Sequence, residues 1–336
     1  SGLSLGTSSI TGTIGTSSKV SAPSKNGYTV PATQTVAFED ASKTVTFTYV
    51  PIEYTITCDV NGGNPLSNQK TAYNIESSAI TLPLPTCKGM EFTGWTGSNG
   101  TDPQKTVTIA KGSTGNRSYK ANWSVNNYVL DLNGILDGSS NGGIAEYGTA
   151  DVYINGVLKA DDASDFCQEI PYGSTYEIKD IKATAGHVYA GTDQALKGTM
   201  GTSRINISLK FNTKKTVVNF MRNYNSSDAA KSSETYTYGV SNQSFSNRGY
   251  SRTGYTLLGW AESQTATKET YPVNCGVASS WIDGHYPSIN LYAVWSKNTY
   301  KISYNLNGVS VSGNPETYHV DTADIALKNP SRTGYT

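Results

Sequence analysis

The chain has 336 residues, 26 Lys and Arg against 26 Asp and Glu, and only 15% charged residues. A zero net charge favours neither nucleic acid nor an anionic membrane as partner, and no apolar run approaches the length of a membrane span. With 23 Tyr against 7 Phe, and Thr throughout, the composition suits pleated, half-exposed surfaces and predicts a mostly β protein.

In chain order, residues 1–51 read as the tail of one module plus a short β unit, "GYTVPATQTVAFEDASKTVTFTYVP". The chain starts on Ser, in mid-pattern and without a visible signal peptide or anchor, so it reads as a piece of something longer. Residues 52–124 form a first complete repeat. It opens on "EYTITCDVNGG", where Tyr54, Ile56, Cys58 and Val60 share one strand face before a turn. It continues through "FTGW" to Trp95 and closes on "YKANW" at Trp123.

Residues 125–214 read as a different, fuller all-β module. It starts on "NNYVLDLNG" and contains "ADVYINGVLKADD", a strand, Asn-Gly turn and strand. Residues 215–297 form a second complete repeat, with a degenerate opening strand "TVVNFMRNY", then "RTGYTLLGW" to Trp260 and "LYAVW" to Trp295. Residues 298–336 start again on "NTYKISYNLNG" and end on "RTGYT", the first half of a third, truncated copy. Two stretches, 66–75 and 321–327, are the candidates for a short helix.

The ordered elements "YTITCDVNGG", "ITLPLPT", "FTGW" and "TVTIAKGSTGNRSYKANW" resemble the InlB B-repeat, or Listeria–Bacteroides repeat. The resemblance implies small β-grasp-like units, similar to mucin-binding-protein repeats, strung along bacterial surface proteins. The expected architecture is therefore a multi-module string of beads, with β-grasp-like repeats flanking a distinct all-β middle module. The N-terminal "FEDASKTVTFTYVP" has a mucin-binding-repeat flavour. One departure stands out: the first copy carries Cys87, Lys88, Gly89 and Met90 where the later copies carry Arg-Thr-Gly-Tyr. If that tetrad made a common binding contact, the first copy would lack it.

Signals for chemistry are weak. His187, His285 and His319 fall roughly one per module, and a lone loop histidine is more often solvated than a ligand or base. No H-E-x-x-H stretch occurs. Asp161, Asp162 and Asp165 lack the glycine and terminal glutamate of an EF-hand loop, so they read as solvated acids. Cys58, Cys87, Cys167 and Cys275 show no metal spacing and read as free thiols. No enzyme, cofactor or metal is expected. An isopeptide crosslink needs a Lys, an Asn and an acid buried together, which spacing does not reveal.

The tryptophans Trp95, Trp123, Trp260 and Trp295 read as structural core. Burying one indole removes about 150–250 Å² from water, worth roughly 4–6 kcal/mol as an upper bound. From Gly-Trp to closing Trp the first copy spans 28 residues and the second 35. The extra residues fall near "VASSWIDGHYPSIN", which holds Trp281, Asp283, His285 and Tyr286. Insertions in repeat arrays map to loops, often on the binding face, so these four are the candidate binding residues. The competing reading has Trp281 fold back and cap its own module.

The sequence favours a non-enzymatic, extracellular protein of the bacterial cell surface or cell wall. Its adhesin-like modules would bind host or matrix macromolecules. The expected partner is a host extracellular protein or glycoprotein, such as mucin or immunoglobulin. Two alternatives stand beside it: a passive stalk spacing a distal domain from the wall, and an immunoglobulin- or glycan-binding module.

Overall fold

A computed structural model of the chain describes residue 4, residues 6–140 and residues 144–334; Tyr335 and Thr336 of the third copy lie outside the described residues. The architecture is nearly all β, in several small sheets. The chain forms two compact units. One takes residues up to 129 with 169–174 and 199–204; the other takes 130–168, 175–198 and 205 onward. The middle stretch 125–214 contributes to both.

In the first unit, β1 (Ser17–Val20), β2 (Tyr28–Thr29), β3 (Gln34–Ala37) and β4 (Val50–Pro51) make two antiparallel pairs, β1 with β3 and β2 with β4. The first repeat follows as β5 (Tyr54–Asp59), β6 (Ala72–Tyr73), β7 (Ile80–Thr81), β8 (Met90–Gly97), β9 (Gly100–Gln104), β10 (Thr108–Ile109) and β11 (Arg117–Val125). Five of these form one sheet in the order β6-β5-β11-β8-β9, with the opening strand β5 parallel to the closing strand β11. The period-two pattern of β5 decides its facing. Ile56 is buried and Tyr54 and Cys58 half-buried, while Thr55, Thr57 and Asp59 are exposed. Ile56, Tyr73, Leu82, Trp95, Val107, Ile109, Tyr119 and Ala121 make the core.

The middle stretch supplies β12 (Asn127–Leu136), β13 (Ser139–Ser140), β14 (Gly148–Ile154), β15 (Val157–Ala163), β16 (Phe166–Pro171), β17 (Thr175–Ala183), β18 (His187–Thr192), β19 (Lys197–Thr199) and β20 (Ile205–Thr213). One sheet runs β13-β12-β20-β18 and another β15-β14-β17-β19.

The second repeat comprises β21 (Lys215–Met221), β22 (Lys231–Thr237), β23 (Tyr255–Ala261), β24 (Tyr271–Pro272), helix α1 (Ser279–Gly284) and β25 (Ser288–Lys297). Its sheet order, β22-β21-β25-β23-β24, matches the first repeat strand for strand, again with opening and closing strands parallel. Val218, Phe220, Tyr236, Phe245, Trp260, Ile282, Leu291 and Ala293 fill its core. The third copy contributes β26 (Tyr300–Lys301) and β27 (Thr317–Tyr318), an antiparallel pair.

The helix expectations need correction. Residues 66–75 run as a loop into β6, because Asn68 takes a left-handed φ of 58° that no right-handed helix accommodates. Residues 321–327 are not helical either. The α-helix forms instead inside the insertion of the second repeat. There Ile282 is driven fully into the core, and the buried Thr216 hydroxyl donates to the Ile282 carbonyl at 2.8 Å. That bond satisfies one of the carbonyls a helix end leaves without an intrahelical partner.

Trp95 and Trp260 are both 0% exposed. Trp123 and Trp295 are half-buried against the same cores. Each donates its indole N–H to the residue ending the opening-strand run, Val60 O at 3.1 Å and Arg222 O at 2.9 Å. Cys58, Cys87 and Cys275 are free thiols; burial against the cores raises the pKa of the Cys58 and Cys275 thiols.

Candidate functional site at the module joints

The four insertion residues do not converge on one exposed patch. Trp281 lies edge-on to Phe245 and Tyr271, with ring centroids 5.0 and 5.7 Å away, and stacks on His285 at 4.3 Å. His285 Nδ1 meets the Trp281 carbonyl at 2.7 Å, and its Nε2 lies 3.3 Å from Glu262. These two rings therefore cover their own module. Asp283 turns the other way. Its Oδ1 accepts from the Gly186 N–H at 2.9 Å and from Lys214 Nζ at 2.7 Å. The Lys214 ammonium and the Gly186 N–H hold the Asp283 carboxyl below its ordinary pKa. Tyr286, 40% exposed, has the same ammonium 5.6 Å from its ring centroid.

Asp283 leads to a feature that recurs along the chain. Gly186 is the third residue of a turn closed by His187 N–H to Thr184 O at 3.1 Å. The same turn closes from Tyr28 to Lys25 at 3.2 Å, from Met90 to Cys87 at 3.2 Å, and from Tyr255 to Arg252 at 3.0 Å. The glycines at the third position, Gly27, Gly89, Gly186 and Gly254, have φ of 78°, 72°, 79° and 75°. A four-residue turn with positive φ at that position selects glycine.

Each glycine then does two further things. Its carbonyl accepts the N–H of the residue that follows its module's last strand. Ile52 donates to Gly27 at 2.9 Å, Asn126 to Gly89 at 2.9 Å, Lys214 to Gly186 at 2.8 Å, and Asn298 to Gly254 at 2.8 Å. Its missing side chain leaves room for a residue of the next module. Ile75, Tyr172, Tyr238 and Val320 respectively sit where a Cβ would project, well inside contact distance. In each case the inserted residue comes just after the next module's second strand or its counterpart, β6, β16, β22 and β27.

Polar bonds lock these joints. Tyr28 donates its hydroxyl to Glu76 at 2.9 Å. Tyr172 N–H donates to Asn126 O at 2.9 Å, and Tyr238 N–H to Lys214 O at 3.1 Å. At the fourth joint Lys297 pairs with Asp321, Thr256 donates to Asn298 Oδ1 at 2.6 Å, and His319 Nδ1 lies 3.0 Å from Asn298 O. The Cys87-Lys88-Gly89-Met90 tetrad thus makes the same joint as Arg-Thr-Gly-Tyr. It lacks the contacts that Arg252 makes with the Tyr224 and Tyr255 rings, at 5.6 and 3.7 Å from their centroids.

The sequence signal for the joints was present but short. It is a glycine before Tyr, Met or His at the start of a strand: "NGYT", "KGME", "AGHV", "TGYT". Gly27, Gly186, Tyr172 and Tyr238 had no other mark.

Among the described residues no three His, Cys, Asp or Glu side chains gather as metal ligands. Asp162 is committed to Lys182 at 2.7 Å and Thr149 at 3.2 Å, and both bonds lower its pKa. The buried polar side chains among the described residues are Asp131, Asp151, Ser174 and Thr216, with no lysine. A shallow cleft of about 590 Å³ near Ile10, Lys19 and Phe38 has lysine as its one ionisable lining side chain.

Small β-modules joined by repeated clasps define a modular array protein. The Listeria–Bacteroides repeat family matches residues 54–121, 217–280 and 300–336, half of the chain, and the chain belongs to that family. The family is typical of extracellular and surface proteins rather than enzymes. No curated protein matches the chain. Among solved structures, the Bacillus anthracis TIE protein is similar at 14% identity, with 86% of this chain and 59% of that chain covered and a TM-score of 0.33. The chain thus spans less than two thirds of that structure's length. No helix among the described residues is long and apolar enough to cross a membrane.

Proposed function

We propose that the chain is a spacer segment of an extracellular bacterial surface protein, in which clasped joints hold each module to the next. The four glycine joints carry this reading. A flexible string needs no close backbone approach between neighbouring modules, whereas each joint here combines a turn, a backbone hydrogen bond and an inserted side chain. Linked modules with small polar interfaces move freely by default. Interlocked contacts at every junction oppose that motion. One residue of the insertion that resembled a binding loop also serves the array, since Asp283 braces the Gly186 joint.

A second reading keeps an adhesive role towards a host extracellular protein or glycoprotein, mucin or immunoglobulin among them. It draws on one observation. The β14–β15 hairpin turns at Asn155-Gly156 and exposes Val157 at 70% and Leu158 at 44%. Exposed apolar groups at a hairpin tip suit a contact.

Capture from mucus, serum and extracellular matrix on the immobilised chain separates the two. The spacer reading expects no saturable capture. Saturable capture that disappears with Val157→Ser and Leu158→Ser together would establish the adhesive role instead.

A further inference from the structure

The residue just before the joint glycine is Asn26, Lys88, Ala185 and Thr253 in the four joints. Only the first joint therefore carries an Asn-Gly pair. An asparagine before glycine has a chemistry of its own. The glycine nitrogen can attack the side-chain carbonyl carbon, and glycine, with no Cβ, hinders that approach least.

Asn26 is exposed, and its carboxamide makes no hydrogen bond among the described residues. The Gly27 N–H, at the third position of the turn, donates to no backbone carbonyl among them either. Four other Asn-Gly pairs are held. Asn61 Nδ2 donates to Ala121 O at 3.1 Å, Asn99 Nδ2 to Trp95 O at 2.7 Å and Asn133 Nδ2 to Asp131 Oδ2 at 3.2 Å, while Asn155 Oδ1 accepts the Thr175 N–H at 2.8 Å. Each must give up a bond worth about 1 kcal/mol before its carboxamide can swing towards the next nitrogen. Asn26 has no such bond to give up. The Asn307 carboxamide is also unheld, but its turn closes no joint.

The first joint depends on the turn around this pair. Tyr28 N–H closes it on Lys25 O at 3.2 Å, and Gly27 holds φ at 78°. The Gly27 carbonyl accepts Ile52 N–H at 2.9 Å, and Ile75 fills the space beside its Cα. Gly27 is buried there, so its nitrogen reaches the Asn26 side chain when the turn opens.

We propose that Asn26-Gly27 is a self-modification site whose conversion to isoaspartate unlocks the first joint. The Gly27 nitrogen loses its proton and bonds to Asn26 Cγ, and Nδ2 leaves as ammonia. Water then opens the cyclic imide. Cleavage on the Cγ side gives aspartate on an unaltered main chain. Cleavage at the main-chain carbonyl gives isoaspartate, with the chain running through the side-chain methylene. That route adds one backbone atom between Lys25 and Tyr28. A four-residue turn holds its end Cα atoms within about 7 Å in a set dihedral pattern, which the lengthened chain no longer fits. An opening that would otherwise reverse becomes permanent. The unlocking rests on the clasped-joint reading; the modification itself does not.

The test ages the whole chain in mildly alkaline buffer. Peptide mapping with electron-transfer fragmentation follows each Asn-Gly pair and separates isoaspartate from aspartate, and amide exchange follows Ile52. The expected result is isoaspartate at position 26 ahead of any conversion at Asn61, Asn99, Asn133 or Asn155, with loss of Ile52 protection in the molecules that carry it. Asn26→Gln, whose longer side chain closes the ring far more slowly, should keep Ile52 protected throughout. Conversion of the held pairs first, or isoaspartate at 26 with Ile52 still protected, would overturn the proposal. An Ile52 amide unprotected in the fresh chain would overturn the clasp itself, and the unlocking with it.

Discussion

Trp95 and Trp260 fill corresponding places in two repeats, but their indole nitrogens differ. Trp260 Nε1 donates to Ser246 O at 3.2 Å, while Trp95 Nε1 is buried with no acceptor among the described residues. Leaving a buried donor unsatisfied costs about 1–3 kcal/mol, and a made hydrogen bond contributes about 1 kcal/mol. Phenylalanine deletes the same atoms at both sites. At position 95 it also removes an unsatisfied donor; at position 260 it orphans the Ser246 carbonyl. Trp260→Phe should therefore destabilise its repeat by about 1–2 kcal/mol more than Trp95→Phe destabilises its own. Amide exchange of the slowest core protons in each repeat measures both values. Equal costs would mean that the indole nitrogens play no part in the difference.

Turns and strands differ in how plainly a sequence announces them. In the second repeat the turn after β21 is built on Asp228. Its carboxylate accepts Arg222 Nε and Nη2, each at 3.0 Å, and the Tyr224 N–H at 3.0 Å. The Arg222 fork, then the Tyr224 N–H, lowers the carboxyl from 3.8 to about 2. A carboxylate with a depressed folded pKa stabilises the fold above its ordinary pKa. That contribution is lost as pH falls from about 4 through about 2. Wild type and Asp228→Asn should thus differ in melting temperature at neutral pH and converge towards pH 2. A difference that stays constant with pH would contradict the assignment.

None of this turn was legible beforehand, because "MRNYNSSDAA" has no periodicity. The strands were legible, since Ile56, Cys58, Ile302 and Tyr304 alternate and end at Asn-Gly or its equivalent. The insertion was located correctly, but its helix was not foreseen. Six residues around one buried Ile282 are too few for a 3.6-residue period to show. The roles of the insertion's side chains escaped for another reason. Asp283 meets Gly186 across 97 residues of sequence, and no spacing rule reaches that far. The joints escaped because four different modules share only a glycine, which Tyr, Met or His follows.

At the scale of the molecule, the joints make the array more than a sum of repeats. The joint at Gly186 is braced by backbone, side chain and ion pair together. Lys214 N–H closes on the glycine carbonyl, Tyr238 fills the space beside its Cα, and Asp283 ties the Gly186 N–H to Lys214. Alanine at 186 would strain a left-handed φ of 79° and drive a methyl into the Tyr238 ring. The most direct measurement is the distance distribution between spin labels on the two sides of this joint. Labels at the exposed positions Asp161→Cys and Thr267→Cys, with the four native cysteines replaced by alanine, report it by pulsed electron resonance. A clasped joint predicts a single narrow distribution that broadens with Gly186→Ala. A broad distribution in the unaltered joint, or one that Gly186→Ala leaves unchanged, would contradict the claim that the joints hold the modules in place.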